Sequence, residues 1–228
     1  MTTPPPDGAA NRRPIAARRL GPVNRLAGRL VAAGVRPNRI SQASMGFAAL
    51  AFGLFWIAAV AGPGGTALCL LLAAVAIQGR LMCNLLDGMV AVEGGLSEPS
   101  GPFWNEAPDR VADPLILAGL GLAAGLPTVG LVCAILAVGT AYLRELGRAE
   151  GQAPDFGGPL AKPQRMALAT GTALLAALCL ALLSPAAARI VLQVGVWIML
   201  AGTALTLVLR SRRLLVHLHL RAGPPATR

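Results

Sequence analysis

The chain has 228 residues, of which 55% are hydrophobic, 4% aromatic and 13% charged, with a formal net charge of +10 and a mean hydropathy of +0.63. That much apolar surface exceeds what a soluble core of this size can hide, so the composition points to an integral membrane protein. The positive charge does not indicate nucleic acid, because the Arg residues cluster between apolar blocks and neither a basic helix nor an aromatic platform accompanies them; membrane lipids with anionic headgroups are the expected partner instead.

Met1 to Pro14 is rich in Pro, Thr, Gly and Arg without periodicity, and is expected to be a disordered cytosolic tail. It lacks the charged, apolar and small-residue order of a signal peptide and is expected to stay uncleaved. From Ile15 to Val35, Leu20, Val23, Leu26, Leu30 and Val31 fall near one helical face, with Arg18, Arg19, Arg25 and Arg29 on the other. That pattern predicts an amphipathic helix on the inner membrane surface, with a solvated basic helix as the plainer reading.

Six apolar segments follow, at Ala43 to Ala61, Thr66 to Leu86, Ala107 to Leu126, Val129 to Leu146, Met166 to Leu183 and Ile190 to Leu209. Each approaches the roughly 20 residues a spanning helix needs, which predicts an all-α polytopic membrane fold with six transmembrane helices. The turns at Gly62 to Gly65, Gly125 to Pro127 and Ser184-Pro185 carry no Lys or Arg before Arg189. Basic residues gather on the other side, ahead of the first span, at Arg144, Arg148, Lys162 and Arg165, and again in the tail from Arg210 to Arg228. The positive-inside bias therefore predicts an inner-membrane protein with cytoplasmic termini and cytoplasmic loops at Gly88 to Glu106 and Gly147 to Arg165. Residues 15–209 form one transmembrane domain in this reading, and 210–228 a basic cytosolic tail. Cys69, Cys83, Cys133 and Cys179 lie inside apolar blocks without CxxC spacing, which predicts buried thiols. His217 and His219 lie beyond the last span, and surface positions near lipid account for them.

The third segment is unusual, because its uncharged part, Pro114 to Leu126, is too short to cross a bilayer. To span, it must draw Asp109 and Asp113 to the membrane boundary. Asn105, Asp109 and Asp113 recur at i+4 on one helical face with Glu106 on its flank, and Arg80, Asn84 and Asp87 do the same at the end of the second segment. Two polar stripes facing each other across the Gly-rich connection Gly88 to Gly101 would form an oxygen-lined pocket. Hard oxygen donors without His or Cys suit Mg2+ or Mn2+ rather than zinc. The alternative is purely structural, with the carboxylates paired to Arg80 and Arg110 to hold helices together.

Written out, the stretch is Asn84-x2-Asp87-Gly88-x2-Ala91-x9-Gly101-x3-Asn105-x3-Asp109. It resembles the signature of the CDP-alcohol phosphotransferases, D-x2-D-G-x2-A-R-x8-G-x3-D-x3-D, with Asp87, Gly88, Ala91, Gly101 and Asp109 in register. The six segments resemble that family's layout, Arg36 to Ser41 resembles its Pro-Asn-x-x-Ser/Thr lead into the first span, and Gly158 to Arg165 its Gly-Lys segment before the fifth. Asn84, Val92 and Asn105 depart from the signature, where the family has Asp, Arg and Asp. Each Asp to Asn change removes a negative charge that would balance the family's metal pair, leaving Asp113, Glu106, Glu93 or the substrate diphosphate to compensate, or a single ion to bind tightly.

The resemblance implies transfer of a lipid-bearing phosphoryl group from a CDP-linked lipid, CDP-diacylglycerol above all, to an alcohol acceptor with release of CMP, in phospholipid synthesis, by a homodimer. It implies Asp109 as the catalytic base, and Asp87, Asp109, Asn84, Asn105 and Asp113 as the metal-ligand candidates. Asn84, Gly88, Ala91 and Gly101 would border the nucleotide, and Arg144, Arg148, Lys162 and Arg165 the phosphate or headgroup. Two other classes remain open at this level: a catalytically silent member that binds lipid or nucleotide, and a small transporter using Asp109 and Asp113 as a cation or proton relay.

Overall fold

The computed structural model describes residues 21–96 and 98–222. The tail expected at Met1 to Pro14 and the first turns of the expected interfacial helix lie outside the described residues, as do 223–228. The described residues form seven helices: α1 (Gly21–Ala32), α2 (Pro37–Val60), α3 (Pro63–Glu93), α4 (Gly101–Ala123), α5 (Pro127–Ala149), α6 (Lys162–Leu182) and α7 (Pro185–Ala222). Helices α2 to α7 each carry Pro within their first two residues, where the missing N–H costs no intrahelical bond. Gly125 and Gly151, at φ 70° and 77°, follow α4 and α5 in the left-handed region that lets the chain reverse.

The helices outrun the apolar segments that announced them. α3 continues through Asp87, Gly88 and Ala91, so the connection expected at Gly88 to Gly101 reduces to residues 94–100. α5 and α6 similarly shorten the loop expected at Gly147 to Arg165 to residues 150–161, and α7 continues past Leu209 to Ala222. Apolarity marks where a helix meets lipid, whereas a polar end continues until a breaker intervenes. α4 begins earlier than Ala107 and carries Pro108 and Pro114 in its interior. Each Pro removes one intrahelical bond, leaving the carbonyls of Trp104 and Arg110 without those donors.

Among the described residues, five helices are long and apolar enough to cross a membrane, namely α2, α3, α5, α6 and α7. α4 is too charged to meet that measure, yet it packs within the same bundle, between α2 and α5. Around the bundle the helices neighbour one another in the order α2, α4, α5, α7, α6 and α3, with α3 closing against α2. The core is built of small side chains, among them Ala48, Ala51, Ala73, Ala169, Ala173 and Ala176 with Phe55, Leu70, Ile77 and Ile116 between them. Small residues let helix backbones approach closely where lipid supplies no hydrophobic drive for association. The outward faces carry Leu50, Trp56, Val75, Ile135, Leu178, Trp197 and Val208, all exposed, as a surface facing lipid requires. All four cysteines are buried and unpaired.

α4 and α5 touch at Gly121 and Gly130. A Cβ on Gly121 would stand 2.6 Å from Gly130 Cα and 2.9 Å from the Leu126 carbonyl oxygen. Gly121→Ala is expected to cost about 1–3 kcal/mol through this overpacking, read as a lower melting temperature in detergent. Gly53→Ala, where a Cβ meets nothing within 4 Å, is expected to melt like the parent protein.

α1 does not lie apart from the bundle. Val23 and Ala27 are buried in a second cluster with Ile40 of α2 and Leu86, Met89 and Val90 of α3, and Leu30 and Val31 pack against it. Leu26, expected on the same face, is exposed. The apolar stripe of α1 is thus spent largely on protein, and Arg25 and Arg29 point outward.

Candidate active site

Antiparallel alternation brings the second half of α3, the first half of α4 and the start of α6 to one end of the bundle. Arg80, Asn84 and Asp87 on α3 meet Asp109 and Asp113 on α4 and Lys162 and Arg165 on α6. Asp109 Oδ1 accepts hydrogen bonds from Arg80 Nη2 at 2.8 Å and Asn84 Nδ2 at 2.7 Å, while Lys162 Nζ donates to its Oδ2. Asp113 takes Arg80 Nη2 at 2.7 Å on one oxygen and Arg165 Nη2 at 3.0 Å on the other. Arg80 is fully buried and bridges both acids, and its Nε and Nη1 have no acceptor.

Asp87 stands differently. Ser41 Oγ donates to it at 2.7 Å and the Gly88 backbone N–H at 2.6 Å, so its direct partners are neutral. It lies within electrostatic range of Asp109 and Lys162. Ser41 carries no signal in the sequence beyond ending the Arg36 to Ser41 lead into α2, and its position one helical turn beyond Pro37 is what aims it at α3.

A second layer holds these residues. Arg165 Nη1 donates to the Leu160 carbonyl at 3.0 Å and to Thr140 Oγ1 at 3.3 Å. Arg210 of α7 donates to the carbonyls of Thr140 at 2.7 Å and Gly157 at 3.0 Å. The connection before α6 lies tightly on α7, because a Cβ on Gly158 would stand 2.4 Å from Thr206, whose hydroxyl also accepts the Leu160 N–H at 3.0 Å. This strap places Lys162 against Asp109. Neither Thr140 nor Arg210 carries a signal in the sequence, since each works through a contact between helices distant in the chain.

The other expected site residues are spread around the cluster. Asn105 is exposed, one turn before Asp109 on α4. Gly88 and Ala91 lie on α3 and are half-buried; Gly101 begins α4, and a Cβ there would meet nothing within 4 Å. Val92 is exposed, and the side chain of Glu93 lies outside the described ones. Arg144 pairs with Glu106 at 2.6 Å and Glu145 at 2.8 Å and lies 5.5 Å over the Phe156 ring. Arg148 pairs with Glu145 at 3.0 Å, and Arg110 with Glu106 at 2.6 Å. At the rim, Asn38 Nδ2 donates to Ser100 Oγ at 2.9 Å and to Glu98, tying the start of α2 to residues 94–100.

The structure therefore brings Asn84, Asp87, Asp109, Asp113, Lys162 and Arg165 together, and leaves Asn105, Arg144 and Arg148 outside that group. Among the described residues, no three His, Cys, Asp or Glu side chains converge in the manner of a metal cage. Within the cluster, Asp87 is the carboxylate whose hydrogen bonds come from neutral groups, and Asn84 turns its Nδ2 to Asp109, which leaves its carbonyl oxygen as a further neutral oxygen for a hard cation.

No family model and no curated protein matches the chain. Among solved structures, it is similar to the phosphatidylinositol phosphate synthase of Mycobacterium tuberculosis crystallised with CDP-DAG bound, at a TM-score of 0.69 and 22% identity over 84% of this chain and 92% of that one. The same synthase in complex with manganese and citrate gives a TM-score of 0.69 and 21% identity over 85% and 88% of the two chains. That synthase is a CDP-alcohol phosphotransferase, and identity at this level carries the architecture. The chain is a multi-pass membrane protein, all-helical across the described residues, with the fold of that phosphatidylinositol phosphate synthase.

Proposed function

We propose that this protein transfers a lipid-bearing phosphoryl group from a CDP-linked lipid to an alcohol, releasing CMP, at the inner face of the cell membrane. The observation that carries the reading is the meeting of Asp87, Asp109 and Lys162 from α3, α4 and α6, in a fold shared with a synthase that binds CDP-DAG. The arrangement suits the chemistry. The acceptor oxygen forms a bond to the phosphorus next to the lipid, the bond from that phosphorus to the CMP oxygen breaks, and the hydroxyl proton passes to a carboxylate. Asp109 is the proposed base. Lys162 and Arg80 beside it supply positive charge where the diphosphate would develop negative charge.

The donor set fits a hard divalent ion, Mg2+ or Mn2+, held by Asp87 and Asn84. When bound, such an ion polarises a phosphoryl group and stabilises the departing phosphate. Gly88, Ala91 and Gly101 line the approach that the nucleotide would take, and the open space at Gly101 leaves room for it. Arg165 is fastened to Asp113, so it supports the pocket, whereas Arg144 and Arg148 stand further out toward a headgroup. The clustering of cations at this end of the bundle supports a cytoplasmic orientation for the site and both termini.

A second reading is favoured by a specific observation. Both oxygens of Asp109 are occupied by donors of the chain itself, and Asn84 and Asn105 stand where the resembling family has Asp. A lipid- or nucleotide-binding protein without turnover would tolerate that. Purified protein incubated with CDP-diacylglycerol, Mg2+ or Mn2+ and a panel of free and phosphorylated alcohols decides between the two. Release of CMP dependent on one acceptor is the expected result, and no release with any acceptor, alongside retained CDP-lipid binding, would leave the silent reading standing.

A further inference from the structure

The charges of the cluster close on themselves. Asp109 is held by Arg80 and Lys162, and Asp113 by Arg80 and Arg165. Counting Asp87, three carboxylates face three cations before any ion arrives. Arg80 already carries donors that the cluster leaves unmet, since its Nε and Nη1 are buried without partners among the described residues. A divalent ion placed on Asp109 would have to displace the half-buried Lys162 and share an oxygen with Arg80, which is fully buried and would lose part of its compensation, an expensive arrangement in a low-dielectric interior. Asp87 has no such obstacle, because its direct partners are a hydroxyl and a backbone N–H. Asn84, three residues earlier on the same helical face, adds a neutral oxygen.

We propose that the pocket binds one divalent cation, on Asp87 and Asn84, and that Lys162 with Arg80 occupies the position on Asp109 where a second ion would otherwise sit. This rests on the reading of the cluster as a phosphotransferase site. One consequence is an ammonium in place of a metal on the base side of the pocket. Another is that the Asn at 84 is matched to that lysine: with the second ion absent, an acid there would have nothing to balance.

The test is Mn2+ binding by the full chain in detergent micelles, with free Mn2+ followed by electron paramagnetic resonance and no substrate present. The expected count is about one Mn2+ per chain, rising to about two for Asn84→Asp combined with Lys162→Gln, because hard carboxylate oxygens and removal of the competing ammonium together create a second site. Asp87→Asn is expected to abolish binding, and Asp109→Asn to leave the count at one. Two ions in the parent protein, none in it, or binding that survives Asp87→Asn but is lost with Asp109→Asn would each overturn the proposal. If the double variant does not fold, the contrast between Asp87→Asn and Asp109→Asn still decides. Absence of CMP release with one ion bound would remove the functional reading alone, and turnover with two ions bound would remove this inference alone.

Discussion

Asp109→Asn is expected to lower CMP release by about 10²- to 10⁴-fold, the range over which a positioned proton acceptor acts, while the protein remains folded enough to bind its CDP-lipid. The substitution keeps the shape of the side chain and removes both its charge and its ability to take a proton. Asn84 then faces an amide instead of a carboxylate, and Lys162 loses the partner that holds it. Transfer assays on matched amounts of monodisperse protein, with binding of the CDP-lipid measured separately, check it. A variant that turns over at the parent rate would end Asp109's role as base, and one that loses lipid binding together with turnover would make Asp109 a structural residue. Asp113→Asn serves as the comparison, because Asp113 is buried and held on both oxygens by Arg80 and Arg165.

Arg80→Met is expected to give a large loss of stability. Arg80 is fully buried and its Nη2 is shared between Asp109 and Asp113 at 2.8 and 2.7 Å. Methionine fills similar volume and is apolar, so the change isolates the charge. Removing one partner of a buried ionic group leaves the other uncompensated at a cost of about 3–5 kcal/mol. Here Asp109 keeps Lys162 and Asp113 keeps Arg165, which places the expectation near the lower end of that range. Thermal melting in detergent reads it, and an Arg80→Met protein that melts with the parent would show that the bridge contributes nothing. Combining it with Asp113→Asn should recover part of the loss, since the two changes share one network and do not add.

Much of the architecture could be read before any coordinate. Composition alone required a membrane bundle, the apolar segments located every helix of it, and the i+4 recurrence of Asn105, Asp109 and Asp113 showed that one helix carries charge into the bundle. The register of Asp87, Gly88, Ala91, Gly101 and Asp109 pointed to the fold that the solved synthase structures share with this chain. These features are local or periodic, and a helix that must satisfy its own backbone in lipid leaves few alternatives.

Tertiary structure decided what the acids do. Spacing placed Asn105 on the face of Asp109, yet it is exposed, while Lys162, far along the chain, reaches Asp109 because the strap at residues 157–160 is fastened to Thr206 and Arg210 of α7. Arg80 was legible as a charge inside an apolar helix, but its two simultaneous partners were not, and Ser41 had no signal beyond its place in a short motif. Pairing between helices distant in sequence depends on rotation and depth in the bundle, which a periodic pattern does not encode. Which carboxylate is left with neutral hydrogen-bond partners is set by those rotations, and they single out Asp87.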